Sequence, residues 1–290
     1  MYQFSRAREL LEICVKQNLE LPDAVLLSEQ EEWGRSRDEI WDEMECRLKI
    51  MENSVQKGLE PGLKSIGGLI GGNAAKLNAY ISYGSLGGRV INQAVAYALA
   101  VTEYNASMGK IVAAPTAGSS GILPGILIAL RDDKEYSREQ IINAMFVAGG
   151  VGKVIASNAT LSGAAGGCQA ECGAASAMAA ASAAYLGGAS PGMCMEAAAM
   201  ALKGLLGLVC DPVGGLVEVP CSKRNATSAA NAIICADMAL AGISSYIPFD
   251  EVVDAMFRIG NMMSDDLRET ARGGCAMTPT ALEFAKTFRS

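Results

Sequence analysis

The sequence predicts a mostly α protein, a single large helical domain with glycine-rich functional loops between its helices. Three observations predict this class. Few segments alternate polar and apolar residues with a period of two, as strands would. Several long segments place apolar residues at helical spacing instead. Half of the 290 residues are hydrophobic but only 6% are aromatic, because alanine and glycine carry much of the apolar count, which favours closely packed helices.

The first predicted element is a helical N-terminal region, residues 1–58, which is the most charged part of the chain. Ser28 and Glu31 in "SEQEEW" have the spacing of a capping box, in which two side chains satisfy free N–H groups at a helix start. We therefore predict that a helix begins at Ser28. From residue 59 the chain is rich in glycine and poor in charge, and residues 59–276 form the predicted core of one domain spanning 1–290.

Each later helix has its own start or stop signal. Ser137 and Gln140 form a second capping box, and Ser190 precedes a proline that suits a first helical turn. Glycines mark the predicted ends of the helix before Gly109 and of the alanine-rich helix. The predicted helices are 88–109, a short apolar helix after the loop 114–125, 137–157, 167–188, 190–209, 222–245 and 250–270.

Composition excludes several classes of function. The formal net charge of −7 argues against a nucleic-acid partner, because such proteins carry a basic face. The N-terminal "MYQFSRARELLEICVKQ" mixes charged and apolar residues, unlike a secretory signal. The most apolar stretches, such as "GILPGILIAL", are too short or too interrupted by glycine to span a membrane. We expect a soluble cytoplasmic protein with no membrane partner.

The chain has nine cysteines and no histidine. Without histidine it cannot by itself form a Ser-His-Asp or Cys-His catalytic site, bind zinc through imidazole or use a histidine base. The odd number of cysteines and the absence of a secretory context argue against a disulfide framework. Four cysteines inside helical patterns are expected to be buried packing residues: Cys14, Cys46, Cys194 and Cys235.

Three other cysteines lie where predicted helices meet loops. Cys168 opens the alanine-rich helix, where free N–H groups favour a thiolate. Cys210 and Cys221 bracket "CDPVGGLVEVPC", in which prolines restrict φ and a Gly-Gly pair allows a tight reversal. Three thiolates without histidine suit an iron–sulfur cluster better than a four-ligand zinc site. Spacing alone leaves packing and zinc as open alternatives. A 4Fe–4S cluster with three thiolates has one open iron, a Lewis acid suited to hydro-lyase chemistry.

Four segments together resemble the iron–sulfur-dependent L-serine dehydratases: "SGAAGGCQAECGAASAMAAA", "CDPVGGLVEVPCSKRNA", "APTAGSSGILPG" and "RETARGGCA". The resemblance covers residues 60–276 and is to the α subunit of the form that is split into α and β subunits. It implies conversion of L-serine to pyruvate and ammonia with an oxygen-sensitive 4Fe–4S cluster and no pyridoxal phosphate. It also implies that Cys168, Cys210 and Cys221 are the cluster ligands, and that 59–276 is the cluster- and substrate-binding core.

The resemblance further implies a partner, the β subunit. In the family the β part carries an "SSSHT"-like segment and, in the split form, an ACT-type regulatory domain. Neither is present here, in agreement with the missing histidine. The base that removes the Cα proton is therefore unknown and expected on the partner, with a carboxylate or lysine of this chain as the alternative. Single-chain members have a further C-terminal cysteine, which this tail, "EFAKTFRS", lacks. Cys172 and Cys275 stand at positions that are often apolar in relatives, so they are left out of the ligand set.

A second set of residues is predicted to bind the substrate. The segment "PTAGSSG" offers hydroxyls and backbone N–H groups that suit a small carboxylate, the alternative being an ordinary turn and helix cap. Arg224 follows Cys221 and is expected to offset cluster charge or hold the substrate carboxylate, the alternative being a solvated helix start. The predicted set is Thr116, Ser119, Ser120, Gly121, Asn73, Lys76, Asn158 and Arg224. Lys223, Asn225 and Arg272 are further candidates.

Three other functions are alternatives to this prediction. One is an iron–sulfur hydro-lyase for a different hydroxy acid. Another is a pyridoxal-phosphate dehydratase, which would need a Schiff-base lysine and a glycine-rich phosphate-binding loop. The segment "KSIGGLIGG" matches such a loop poorly. The third is a helical scaffold with structural zinc. An absorption spectrum with metal and sulfide analysis separates them.

Overall fold

Helices dominate the computed structural model, which describes residues 1–288. That part of the chain contains thirteen α-helices, several short 3₁₀ turns and no strand, so the prediction of a mostly α protein is confirmed. A single β-type bridge within it joins Cys210 to Arg268. The last two residues of the predicted 1–290 domain lie outside the described residues, and the predicted boundary at residue 59 stays a prediction.

The helices follow one another with short connections. Their bounds are α1 (Ala7–Gln17), α2 (Leu21–Trp33), α3 (Arg37–Gly58), α4 (Asn73–Tyr80), α5 (Gly88–Ala106), α6 (Ile122–Lys134), α7 (Arg138–Asn158), α8 (Gly163–Gly166), α9 (Ala174–Leu186), α10 (Pro191–Lys203), α11 (Cys221–Leu240), α12 (Phe249–Met262) and α13 (Pro279–Phe288).

The alanine-rich helix α9 lies at the centre of the bundle. Every residue in it except Tyr185 is buried, and it packs against α6, α7, α10 and α11. A helix that is apolar on all sides is expected in the interior. Its small side chains let four neighbours approach, which explains why the chain fills a large core with so few aromatic residues.

Glycine allows the same close approach between α5 and α6. A Cβ atom on Gly125 would lie 2.7 Å from the carbonyl oxygen of Ala94, closer than real Cβ atoms come to other atoms. The two helices therefore pack backbone against backbone. One continuous cluster of buried apolar residues extends through the bundle, from Phe4 near the N-terminus to Met256 in α12.

The N-terminal helices pack on this core, α2 against α7 and α3 against α5. The predicted helix start at Ser28 is wrong. Ser28 lies inside α2, where it is fully buried and its hydroxyl accepts a hydrogen bond from Lys153 Nζ at 3.0 Å. The capping box of this region is Ser36 with Glu39 at the start of α3. Both serines have glutamate three residues later, and α2 begins earlier because Pro22 and the apolar residues around it favour a helix start there.

Four helices end at least three residues earlier than predicted, and one is interrupted. Helix α5 ends at Ala106 rather than 109, α10 at Lys203 rather than 209, α11 at Leu240 rather than 245, and α12 at Met262 rather than 270. The predicted helix 167–188 begins instead as a π-helical turn, Gln169–Gly173, which leads into α9. Ser137 with Gln140 caps α7, and Ser190 caps α10, both as predicted.

One helix, α7, is long and apolar enough to cross a membrane by length and composition. However, 67% of its most apolar window is buried inside the bundle. A core helix of a globular protein passes the same test. The helix is therefore weak support for a membrane location, and a cytoplasmic location stays a proposal.

Candidate functional site

The loop 210–221 connects α10 to α11 and is fixed at its first cysteine. The N–H of Cys210 donates to the carbonyl oxygen of Leu267 at 2.8 Å, and the carbonyl oxygen of Cys210 accepts from the N–H of Glu269 at 2.7 Å. Further on, Gly214 and Gly215 have φ values of 64° and 79°, in the left-handed region that favours glycine. The predicted reversal at the Gly-Gly pair is confirmed.

The buried carboxylate of Glu218 fixes the second half of this loop. It accepts hydrogen bonds from Ser65 Oγ at 2.6 Å and from the N–H groups of Gly67 and Leu69 at 2.7 and 3.0 Å. These donors belong to the glycine-rich segment between α3 and α4. A carboxylate that receives several N–H and O–H bonds holds two chain segments together. Cys221 then begins α11 at a defined position.

The structure brings Cys168, Cys210 and Cys221 into one neighbourhood. Cys168 and Cys210 are buried and Cys221 is half-buried. Burial raises the pKa of Cys221 to about 12, and nearby Cys168 acts in the same direction. Burial also raises the pKa of Cys210, where Glu171, Cys168 and Cys221 add to the effect. The three thiols are therefore close enough to influence one another's ionisation, although they come from three separate parts of the chain.

Cys168 lies just before the π-helical turn and has a second thiol beside it. A hydrogen bond from Cys172 lowers the pKa of Cys168, in spite of its burial, and the charge of Arg224 acts in the same direction. The same hydrogen bond raises the pKa of Cys172, which is fully buried. π-helical turns are frequent at functional sites. Cys168 is thus the cysteine of the three that most readily forms a thiolate.

The three thiols fit an iron–sulfur cluster better than a single metal ion. Within residues 1–288, no group of three or more His, Cys, Asp or Glu side chains is placed to hold one ion. A 4Fe–4S cube needs a different arrangement, because each thiolate binds a different iron atom. Its ligands are therefore farther from one another than ligands that share a single ion. Buried cysteines with no histidine among them match that donor chemistry. A structural zinc site would need four close ligands.

Glu171 stands among these cysteines, one turn after Cys168. Its Oε1 accepts a hydrogen bond from Thr116 Oγ1 at 2.6 Å, and its Oε2 lies 4.0 Å from the sulfur of Cys210. Burial raises the pKa of Glu171, the bond from Thr116 lowers it, and the charge of Glu269 raises it further. A partly buried carboxyl in this position can bind a cation or exchange a proton.

Arg224 and Asp211 form an ion pair next to the cysteines. The guanidinium of Arg224 lies 2.7 Å from Asp211 Oδ1 and donates to the carbonyl oxygen of Val209 at 2.6 Å. Asp211 Oδ2 accepts from the N–H of Cys275 at 2.6 Å, which brings the segment after α12 to the site. Cys275 itself is exposed. Arg224 thus places a positive charge near Cys168 and Cys221, and its predicted role in offsetting cluster charge or holding the substrate carboxylate stays a prediction.

The segment 116–121 reaches the site through Thr116. The hydroxyl of Thr116 donates a hydrogen bond to Glu171, and Ser119 Oγ lies 3.2 Å from Thr116 Oγ1. Ser120 is fully buried and donates to the carbonyl oxygen of Ala117, while the N–H of Gly121 donates to Asn225 Oδ1 at 3.0 Å. Asn225, a further candidate, therefore positions this segment. Thr116 and Ser119 are its two hydroxyls nearest to Glu171.

The remaining predicted substrate residues have other contacts. Asn73 begins α4 and binds the fully buried Glu103 through both its backbone and side-chain nitrogens. Asn158 donates to the carbonyl oxygen of Ser5 at 2.6 Å. Lys76 is exposed on α4. No described contact joins these three to the cysteines, and their role in binding substrate stays a prediction. Of the further candidates, Lys223 is exposed, and Arg272 pairs with Asp266 at the surface.

Two functional residues, Glu171 and Asp211, were not singled out from the sequence. Both sit next to predicted ligands, in "GCQAEC" and "CDPVGG". The signal that points to them is a charged residue inside an apolar segment, because a buried carboxylate needs a partner. Applied to the alanine-rich segment, that rule selects Glu171, the one charged residue between 163 and 186.

Comparison with known proteins finds a family model and several relatives that match most of this chain. A family model described as serine dehydratase alpha chain matches residues 16–276. The chain is 52% identical to a probable L-serine dehydratase alpha chain of Bacillus subtilis over 284 residues, which cover 98% of this chain and 94% of the relative. It is 42% identical to the L-serine dehydratase alpha chain of Peptoniphilus asaccharolyticus over 283 residues, 97% of each chain.

A longer relative extends the comparison. The L-serine dehydratase of Streptomyces coelicolor is 35% identical over 283 residues, which cover 95% of this chain but only 61% of that protein. The resemblance identified from the four sequence segments is therefore confirmed at the level of the family. The chain belongs to the serine dehydratase alpha chain family.

Proposed function

We propose that this chain is the cluster-bearing subunit of an iron–sulfur-dependent L-serine dehydratase, which converts L-serine to pyruvate and ammonia. One observation carries the proposal: two buried thiols and one half-buried thiol lie near a guanidinium and a carboxyl in a chain related to L-serine dehydratase alpha chains. The site combines metal-ligand chemistry with groups that can bind a small zwitterion. No pyridoxal phosphate takes part in the proposed reaction.

Cys168, Cys210 and Cys221 are the residues that would hold the cluster. When bound, a 4Fe–4S cluster with one open iron supplies a Lewis acid that helps the hydroxyl group of serine to depart. The protein contributes Arg224, whose charge favours the thiolate forms of Cys168 and Cys221. Asp211 and the Val209 carbonyl hold that guanidinium in place.

The substrate is proposed to lie between the thiols and the segment 116–121. Thr116 offers a hydroxyl group on that side, and Arg224 offers a positive charge beside the cysteines. Ser119 is fully buried and its hydroxyl contacts Thr116, so it supports that residue from inside the segment. Ser120 and Gly121 use their polar groups inside the protein, so they shape the segment. This arrangement surrounds a small polar molecule with fixed donors, which lowers the entropy lost on binding.

A β subunit is proposed to complete the enzyme, with a histidine near the active site and an ACT-type regulatory domain. Removal of the Cα proton needs a base near neutral pH, and this chain has no histidine. The chain also spans only 61% of a related L-serine dehydratase. We propose that the partner supplies the base and closes the site from water, in the cytoplasm.

The test is anaerobic reconstitution with iron and sulfide, with and without the β subunit. We expect Cys168→Ala, Cys210→Ala and Cys221→Ala each to lose bound iron and sulfide, the broad air-sensitive absorption, and the formation of pyruvate. Two matched controls should keep all of these. One is Cys235→Ala, buried in α11 as predicted, and the other is Cys46→Ala, which is exposed, so that the prediction of a buried Cys46 is wrong.

Two results would overturn the proposal. One is turnover of serine by protein that contains no iron. The other is a set of variants at Cys168, Cys210 and Cys221 that keep both the cluster and activity. A sharp absorption band from an aldimine would indicate pyridoxal phosphate instead.

A further inference from the structure

Glu171 is a carboxyl group beside three cysteines that has no cationic partner among residues 1–288. Its described contacts are the hydroxyl of Thr116 at 2.6 Å and the sulfur of Cys210 at 4.0 Å. None of the ion pairs in this part of the chain includes it, whereas the neighbouring Asp211 is paired with Arg224. A partly buried carboxylate without a cation is unfavourable, and proteins normally pair such groups.

Two glycines let the backbone approach this carboxyl closely. A Cβ atom on Gly163 would lie 2.5 Å from Glu171 Oε2 and 3.2 Å from the sulfur of Cys210. A Cβ atom on Gly118 would lie 3.0 Å from Oε1. A side chain at either position would therefore push the carboxyl away from Thr116 and Cys210.

The nearby cations of the chain are held elsewhere. Arg224 is fixed on Asp211 and the Val209 carbonyl, and Arg268 pairs with Asp265 and donates to the Ala165 carbonyl. A cation for Glu171 would therefore come from outside residues 1–288, and the substrate is the source that the proposed function supplies. L-serine carries one, its α-ammonium group, and an ammonium–carboxylate pair out of water is among the stronger hydrogen-bonded contacts.

We propose that Glu171 binds the α-ammonium group of the substrate and so selects 2-amino acids over hydroxy acids that lack the amine. The inference rests on the proposed function, because it names the group that recognises serine in that site. Thr116 holds the carboxylate of Glu171 in position by donating a hydrogen bond to Oε1. With the amine fixed beside Cys210, the carboxylate and hydroxyl of serine are directed toward the space between the thiols.

The test compares Glu171→Gln with the unmodified enzyme, both loaded with cluster and combined with the β subunit. Glutamine keeps the size of the side chain and an acceptor for Thr116 but removes the charge. We expect KM for L-serine to rise about 30-fold or more, since truncating one partner of a desolvated charge pair has effects of at least this size. The inhibition constant of 3-hydroxypropanoate, which is serine without the amine, should change less than about threefold.

Direct binding gives a second readout that does not depend on turnover. L-alanine and propanoate differ only in the amino group and have no hydroxyl to lose. Measured by anaerobic calorimetry, the ratio of their affinities should fall about 30-fold in Glu171→Gln. Glu269→Gln is the matched control, because it removes a nearby but exposed negative charge that disfavours the charged form of Glu171, and it should not lower the ratio. Glu171→Asp, which retains the charge, should recover part of the preference.

The outcomes separate the two proposals. If the unmodified enzyme binds L-alanine no better than propanoate, or if Glu171→Gln keeps the preference, Glu171 does not bind the amine. The same holds if Glu171→Gln weakens both ligands equally. If instead the unmodified, cluster-loaded complex does not act on L-serine, the proposed function itself is wrong. Iron and sulfide content, measured in every variant, distinguishes loss of binding from loss of the cluster.

Discussion

Arg224 and Asp211 show how single charges are balanced at the site. Asp211 is only 2% exposed, and its carboxylate touches both the guanidinium of Arg224 and the backbone of Cys275. A buried charge that loses its partner is strongly destabilising, whereas an exposed pair contributes little. The pair therefore fixes both the charge beside the cysteines and the segment that covers them.

We predict that Arg224→Ala lowers the free energy of unfolding of the cluster-free chain by about 3 kcal/mol or more, because Asp211 stays buried without its cation. Urea unfolding followed by circular dichroism measures this. Arg272→Ala is the control, since Arg272 and Asp266 form an exposed pair and the expected cost is below about 1 kcal/mol. Equal losses in the free energy of unfolding would show that the Arg224–Asp211 pair stabilises the chain no more than an exposed pair does.

Among the connecting segments, the one after α3 is joined to the loop 210–221 by an acidic side chain. Glu218 accepts three hydrogen bonds from Ser65, Gly67 and Leu69. The segment is also bonded to the end of α5, through the N–H of Ile66 and the carbonyl oxygen of Ala106. Loss of Glu218 should therefore free the segment from the loop 210–221 while its contact with α5 remains.

We predict that Glu218→Ala destabilises the chain by about 3 kcal/mol, because buried donors lose their acceptor. Amide hydrogen exchange at residues 65–70 should quicken more than exchange in α9. Glu60→Ala removes an exposed carboxylate that pairs only with Lys57, and should change neither quantity measurably. Unchanged exchange at 65–70 in Glu218→Ala would contradict the tethering role.

Helix starts could be predicted from the sequence where the signal is local. The capping boxes at Ser137 and the cap at Ser190 involve residues within one turn, and both were found. The same local pattern gave a false start at Ser28, because a serine and a glutamate at that spacing also occur inside a helix. Helix ends were less predictable: α10 and α12 stop where the following chain turns toward the cysteines, which is a tertiary effect.

The sequence could indicate which three cysteines to examine, but not what surrounds them, and their role as cluster ligands stays a proposal. Cys168, Cys210 and Cys221 stand at helix–loop junctions, and the segments around them carry a family resemblance. The contact of Thr116 with Glu171 joins residues 55 positions apart, and that of Asp211 with Cys275 joins residues 64 apart. Such contacts depend on packing of the whole bundle, which no local spacing encodes.

The molecule as a whole buries several thiols far from the site, and this affects its stability in alkali. Burial raises the pKa of Cys14 in α1 to about 11 and that of Cys194 in α10 to about 12, from the ordinary 9.0. Above pH 9 the unfolded chain loses these protons while the folded chain keeps them. The stability present below pH 9 is therefore lost as the pH rises toward 11 and 12.

We predict that the urea midpoint of the cluster-free chain, kept reduced, falls steadily from pH 8.5 to 10.5. The double variant Cys14→Ala and Cys194→Ala should be less stable at pH 7.5 but should show a shallower fall, because fewer thiols titrate. An equally steep fall in the variant would mean that other groups account for the alkaline loss.

The C-terminal part of the described chain forms a cover over the loop 210–221. Cys210 pairs with residues 267 and 269, Asp211 binds Cys275, and Phe284 of α13 lies against Gly214. A ribosome makes all three junction cysteines before this cover, which follows within several seconds at about 5–20 residues per second. The three thiols are thus uncovered for an interval while the chain is still nascent. If the proposed cluster binds them, its iron and sulfide would have to arrive in that interval or after the cover reopens.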